Sequence, residues 1–122
     1  MAQYVDGFVL PIPAKNIEAY RRMAKKAGKL WREHGALDYR ECIADDVETK
    51  FGFSFPRGIK AKEGETVVFA WITFKSRAHR DRVNAKVMQD PRLKADMDMN
   101  PNNMPFDCKR MIYGGFDVLV AA

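Results

Sequence analysis

Few residues in this chain could hold a metal ion or act as a nucleophile. It has 2 cysteines and 2 histidines among 122 residues. Cys42 and Cys108 stand far apart and form no C-x-x-C, which argues against compact zinc and redox motifs and predicts two reduced thiols in a cytoplasmic protein. No apolar run approaches the roughly 20 residues that cross a bilayer. The opening stretch MAQYVDGFVLPIPAK is broken by Asp6, Pro11 and Pro13, so no signal peptide and no membrane partner are expected. Repeats, low-complexity tracts and linkers are missing as well, and residues 1–122 read as one domain.

What is present is ordinary globular material. Apolar residues make up 47% of the chain and charged residues 30%, enough to build a core without covalent staples. The charge is uneven. Between Ala14 and His34 there are seven basic residues (Lys15, Arg21, Arg22, Lys25, Lys26, Lys29, Arg32) against Glu18 and Glu33, and this segment alone accounts for the chain's net +5. A basic helix of this kind is either a solvated face or a site for RNA or another anionic surface.

Tyr4 to Leu10 is aromatic and β-branched and reads as a strand, stopped by Pro11 and Pro13. Asn16 offers an N-cap, and Ile17, Tyr20, Ala24, Ala27 and Trp31 recur at spacings of three and four, the stripe of a helix that Gly35 ends. Leu37 to Ala44 is a second strand, with Tyr39, Glu41 and Ile43 on one side. Phe51, Phe53 and Phe55 alternate with small residues and predict an extended arm at a sheet edge, where Pro56 is tolerated. Thr66 to Phe74 is apolar on both parities, so both its faces are expected to be covered. Ser76 caps a helix to about Gln89, with Val83 and Val87 in its stripe. Asp90-Pro91 starts another that Leu93 to Met97 continues. The Met- and Asn-rich Asp98 to Asp107 is a loop, and Arg110 to Val120 is the last strand. In that strand Gly114-Gly115 implies a bulge or a close backbone approach.

The order β-α-β-β-α-β predicts an α+β, ferredoxin-like fold. Its four-stranded antiparallel sheet carries both helices on one face. The other face is apolar too, and a second copy packed sheet on sheet would cover it. At YVDGFVLPIP, GALDYRECIADDV, DPRLK and MPFDCKRMIYGGF the chain resembles the YbaA-like family of uncharacterised bacterial proteins. That resemblance implies a dimeric α/β barrel, in which two such sheets pair, and it implies no activity.

Charged residues inside apolar strands are the best site candidates, because buried charge is costly unless paired or used. Asp6, Glu41 and Arg110 are of this kind. With Trp71, Tyr113 and Phe106 as an apolar lining they suggest a cleft for a small organic ligand, borne by the dimer beside the sheet. A carboxylate whose pKa is raised there could act as a base. The expected function is thus a homodimeric small-molecule-binding protein or a minor enzyme without cofactor or metal. An RNA or anionic-surface binder and an interaction protein without ligand are the alternatives. His34 and His79, at helix ends, read as structural. VFAWITF resembles the aromatic strand of an RNA-recognition motif, but Val67 and Val68 occupy its basic and glycine positions, which argues against nucleic acid.

Overall fold

The computed structural model describes residues 3–96 and 103–122. Its elements are β1 (Tyr4–Pro13), α1 (Ile17–Glu33), β2 (Asp38–Ile43), α2 (Phe55–Gly58), β3 (Glu65–Phe74), α3 (Arg77–Gln89), α4 (Pro91–Asp96) and β4 (Ile112–Asp117). The strands form one antiparallel sheet in the order β2-β3-β1-β4. This is the expected α+β, ferredoxin-like architecture.

Strand β1 runs on through the two prolines expected to end it. The reason lies in its neighbours. β4 pairs with β1 only from Tyr4 to Val9, so beyond Leu10 one edge of β1 is open. The amide of Ala14 donates to the Gly64 carbonyl on the β3 side at 2.9 Å. Backbone alternation then turns the ring nitrogens of Pro11 and Pro13 to the open edge, where no hydrogen bond is lost. At the other end β4 stops at Asp117, not Val120. Tyr4 is already opposite Asp117, so β1 has run out of partners, and Leu119 is 95% exposed. β4 shows no bulge. Its Gly114-Gly115 pair answers instead to close approach, since a Cβ on Gly115 would stand 2.8 Å from the Tyr4 ring.

Two further expectations are corrected. The phenylalanine arm is not part of the sheet. Phe51 is 95% exposed, and Phe55 opens α2, whose N-cap Ser54 accepts from the Arg57 amide with Pro56 in the first turn. Ser-x-Pro is a helix start, and it outweighs the period-two pattern. Asn16 makes no capping bond; its side chain donates to the Pro105 carbonyl at 2.9 Å. Gly35, with φ +117°, ends the turn after α1 as expected. Ser76 caps α3 through the His79 amide, and Asp90 receives the Arg92 amide at the start of α4. Met97 and the loop from Asp98 to Asn102 lie outside the described residues.

Both long helices cover one face of the sheet. Leu30 of α1, Val83 and Val87 of α3 and Leu93 of α4 pack on Tyr4, Ile72 and Phe74. Tyr20 and Ala24 pack on Leu10, Ile12, Val68 and Ala70, closed by Phe106. The pairing register then sorts every strand residue. Tyr4, Asp6, Phe8, Leu10, Val68, Ala70, Ile72, Tyr39, Glu41 and Tyr113 face the helices. Val5, Gly7, Val9, Phe69, Trp71, Ile112, Gly114 and Phe116 share the open face.

Candidate functional site

Two neighbouring rows of the helix-facing side hold most of the polar chemistry. One row runs Gly115–Asp6–Ile72–Tyr39 across β4, β1, β3 and β2; the next runs Tyr113–Phe8–Ala70–Glu41. Alternate residues of a strand share a face, so Asp6 with Phe8 and Tyr39 with Glu41 come from the strand pattern itself. Above these rows, α1 and α3 leave a cavity of about 290 Å³, with Asp6 towards one end and Glu41 towards the other. Its remaining walls are mainly apolar and sulfur-bearing, including Leu10, Met23, Trp31 and Met88.

Asp6 is 1% exposed and richly partnered. Arg80 of α3 donates to it at 2.9 Å and Asn84 at 3.5 Å. Arg80 also donates to the Tyr113 hydroxyl at 3.1 Å and lies over the Tyr4 ring. The Asn84 amide oxygen accepts from the Trp31 indole at 2.9 Å, which ties α1 to α3. Burial pushes the Asp6 carboxyl above its ordinary range, while the Arg80 charge and these hydrogen bonds oppose the shift. Tyr113 stacks on Phe8, ring centroids 4.9 Å apart.

Glu41 is held differently. Tyr20 donates to one carboxylate oxygen at 2.7 Å and Tyr39 to the other at 2.7 Å. Among the described residues no cation lies within ion-pair distance of it. Burial raises the Glu41 pKa, and the two tyrosine hydrogen bonds only moderate it. Both hydroxyls are themselves pushed up by burial and then by the Glu41 charge, so they stay protonated and donate to the carboxylate. Gly28 makes this geometry possible. The Tyr39 ring lies against α1 there, and a Cβ on Gly28 would sit 2.7 Å from it.

Of the candidates read from sequence, the cavity therefore gathers Asp6, Glu41, Trp71, Phe106 and Tyr113. Phe106 forms a wall, edge-on to Tyr20 at 5.6 Å. Trp71 borders the cavity, but its row is an open-face row and its ring packs edge-on with Phe69 at 5.6 Å. Arg110 is elsewhere. It grips Glu65 at 2.7 and 2.9 Å and the Lys60 carbonyl at 3.0 Å, and this grip lowers the Glu65 pKa to about 2. Arg110 thus ties the entry of β4 to the start of β3. This cavity is lined by residues of a single chain, whereas the expected cleft was one borne by the dimer.

Arg80, Asn84, Tyr20, Tyr39 and Gly28 were not singled out beforehand. A signal existed for two of them. Arg80 stands three residues before Val83 and Asn84 three before Val87, so they are polar residues on the buried stripe of α3. His34 pairs with Asp90 at 2.7 Å, and His79 accepts from the Lys75 amide at 3.0 Å. Among the described residues no three His, Cys, Asp or Glu side chains converge to hold a metal, and no helix is long and apolar enough to cross a membrane.

A family model described as "Protein of unknown function (DUF1428)" matches residues 3–108. The "Uncharacterized protein YbaA" of Escherichia coli strain K12 is 48% identical over 118 residues, 97% of either chain. The proteins of that name from Escherichia coli O157:H7 and Shigella flexneri match equally. Among solved structures, a dimeric ferredoxin-like protein from an uncultured marine organism aligns over 100% of both chains with TM-score 0.58 at 11% identity. At that identity the likeness concerns the fold.

Proposed function

The chain belongs to the DUF1428 family of proteins of unknown function, and from that premise we propose that it is a cytoplasmic homodimer that binds a small, mainly apolar organic molecule in the cavity between its helices and its sheet. The observation that carries this reading is the contrast between the cavity's two carboxylates. Asp6 is ion-paired and serves to hold β1 to α3. Glu41 has only two neutral donors, in an apolar lining that raises its pKa. A carboxyl in that state titrates nearer neutrality and can take or give a proton. The ligand that fits is uncharged or weakly acidic, with one polar group for Glu41 and an apolar body for Leu10, Met23 and Met88. Whether binding leads to proton transfer depends on a ligand acidic enough to exchange with that carboxyl.

The dimer is supported by the open face. Phe69, Ile112 and Phe116 are exposed there, around a groove of about 580 Å³ that also includes Val5, Val9 and Trp71. A contiguous apolar surface of this kind is costly in water and usually marks an interface. Gly7 and Gly114, opposite each other in the register, lie under the Phe116 ring, so that ring forms the surface a second copy would meet. The marine protein of the same fold is dimeric.

The test of the cavity is a thermal-shift screen with small uncharged and weakly acidic organic compounds on the wild-type protein and Glu41→Gln. A ligand at 100 times its Kd stabilises by about 2.7 kcal/mol, and the shift should shrink in the variant. Silence across a broad panel, or shifts indifferent to Glu41→Gln, would favour an interaction protein without ligand. Sedimentation at micromolar concentration tests the dimer, and a species of single-chain mass would remove it.

A further inference from the structure

The basic surface of α1 borders a second cavity, of about 520 Å³, between that helix and the edge strand β2. Arg21, Lys25, Lys29 and Arg32 line one side of it. Their spacings of four, four and three put them on one flank of the helix. Arg21 pairs with Glu18, and Arg32 donates to the carbonyls of Ala36 and Leu37. Lys25 and Lys29 have no acidic partner among the described residues. The apolar part of the lining comes from Ile17 and Ala24 of α1, Ile43 of β2 and Val68 of β3. Glu41 is the one carboxylate of the lining, and both its oxygens are already engaged by Tyr20 and Tyr39.

We propose that this groove is a binding site for a small organic anion, a carboxylate or phosphate with an apolar body, whose charge lies against Lys25 and Lys29 and whose body lies against Ile17, Ile43 and Val68. Cations without partners beside a concave apolar wall suit such a molecule, because the charge gives attraction and the wall gives burial. A long polyanion needs a broad, open basic track instead. The site goes beyond the helix-side cavity and stands or falls separately from it. The two share only the wall made by Tyr20, Ala24, Tyr39 and Glu41, and that wall lets occupancy of the groove be sensed at the Glu41 carboxyl.

Calorimetric titration of the full chain with phenyl phosphate at low salt tests the proposal, with inorganic phosphate and a single-stranded RNA oligonucleotide as comparisons. Phenyl phosphate should bind at least fivefold more tightly than inorganic phosphate, and Lys25→Gln with Lys29→Gln should weaken it at least tenfold. Lys86→Gln on α3 should leave it unchanged, and unaltered melting of all variants shows that the fold is intact. Equal affinity for the two phosphates would overturn the apolar part of the site. Indifference to the two lysines would overturn the site itself. RNA that binds with a steep salt slope and displaces phenyl phosphate would overturn the small-molecule assignment. A failed screen of uncharged compounds leaves these readouts untouched.

Discussion

The helix-covered face of the sheet buries one carboxylate, Asp6, and half-buries another, Glu41, whereas the open face of the same strands exposes Phe69, Ile112 and Phe116. Each face departs from the ordinary placement of side chains, in opposite directions. Buried charge persists only where partners compensate it, and on the helix side they are visible: Arg80 and Asn84 for Asp6, two tyrosines for Glu41. A contiguous exposed aromatic surface usually marks an interface, and on the open side the proposed cover is a second copy of the chain. The contrast puts the proposed ligand site on the helix side and the proposed interface on the reverse of the same sheet. Either can therefore be disturbed without the other.

The largest expected effect is on the helix side. Asp6→Ala leaves the Arg80 guanidinium, 14% exposed, without its main partner, and should cost about 3 kcal/mol in urea unfolding. Replacing Arg80 with Met in the same chain should restore part of that loss. A loss below about 1 kcal/mol would mean that the buried pair is not what holds β1 to α3. Next comes the open face. Phe116, 63% exposed, lies over Gly7 and Gly114 of its own chain but leaves most of its surface free, so Phe116→Asp should lower melting of the protomer only slightly. Dimer affinity should fall roughly 100-fold, as at a central aromatic anchor, read by sedimentation across a concentration series. If both melting and association stayed as in wild type, the open face would not be an interface.

A smaller effect is expected at Gly28→Ala. The added methyl meets the Tyr39 ring and should destabilise by about 1–2 kcal/mol. It should also displace the Tyr39 hydroxyl from Glu41, which an altered Glu41 titration in NMR would report. The smallest effects are in pH dependence, and two glutamates oppose each other. Glu41 has a folded pKa above its ordinary 4.5, so the folded chain binds the proton more tightly than the unfolded one. Its contribution is fully present below 4.5 and declines as pH rises through the folded value. Glu65, lowered to about 2 by Arg110, contributes above 4.5 and loses that contribution as pH falls towards 2. Stability against pH should therefore become flatter above pH 4.5 in Glu41→Gln and flatter below it in Glu65→Gln. The same sign of change in both variants would contradict the assigned environments.

Much of this was legible in the residues. The stripe Tyr20, Ala24, Ala27 predicted both α1 and its buried side, and of the two apolar faces of β3 the structure covers the one bearing Val68, Ala70 and Ile72, while Phe69 on the other stays exposed. Asp6 and Glu41 stood out as charges among apolar neighbours, and both line the cavity. Arg110 stood out for the same reason and proved to be a tie between strands, because an isolated charge in a strand looks alike whether its partner is a ligand or a glutamate 45 positions away. Trp71 and Tyr113 were equally plausible as lining, but pairing register puts one on the open face and one on the helix face. The Phe51–Phe55 alternation mimicked a strand because local pattern carries no information about whether a partner edge is free.

Element order, helix stripes and the parity of each strand are short-range properties, since they follow from backbone periodicity and side-chain volume, and the amino-acid sequence by itself determined them. With them came the ferredoxin-like topology and the two odd carboxylates. Which cation meets which carboxylate, where β1 loses its neighbour, and that the cavity lies under the helices were decided only by tertiary structure. The reason is physical: ion pairs, strand ends and cavities depend on distances between residues far apart in the chain, and those distances exist only once the layers have packed.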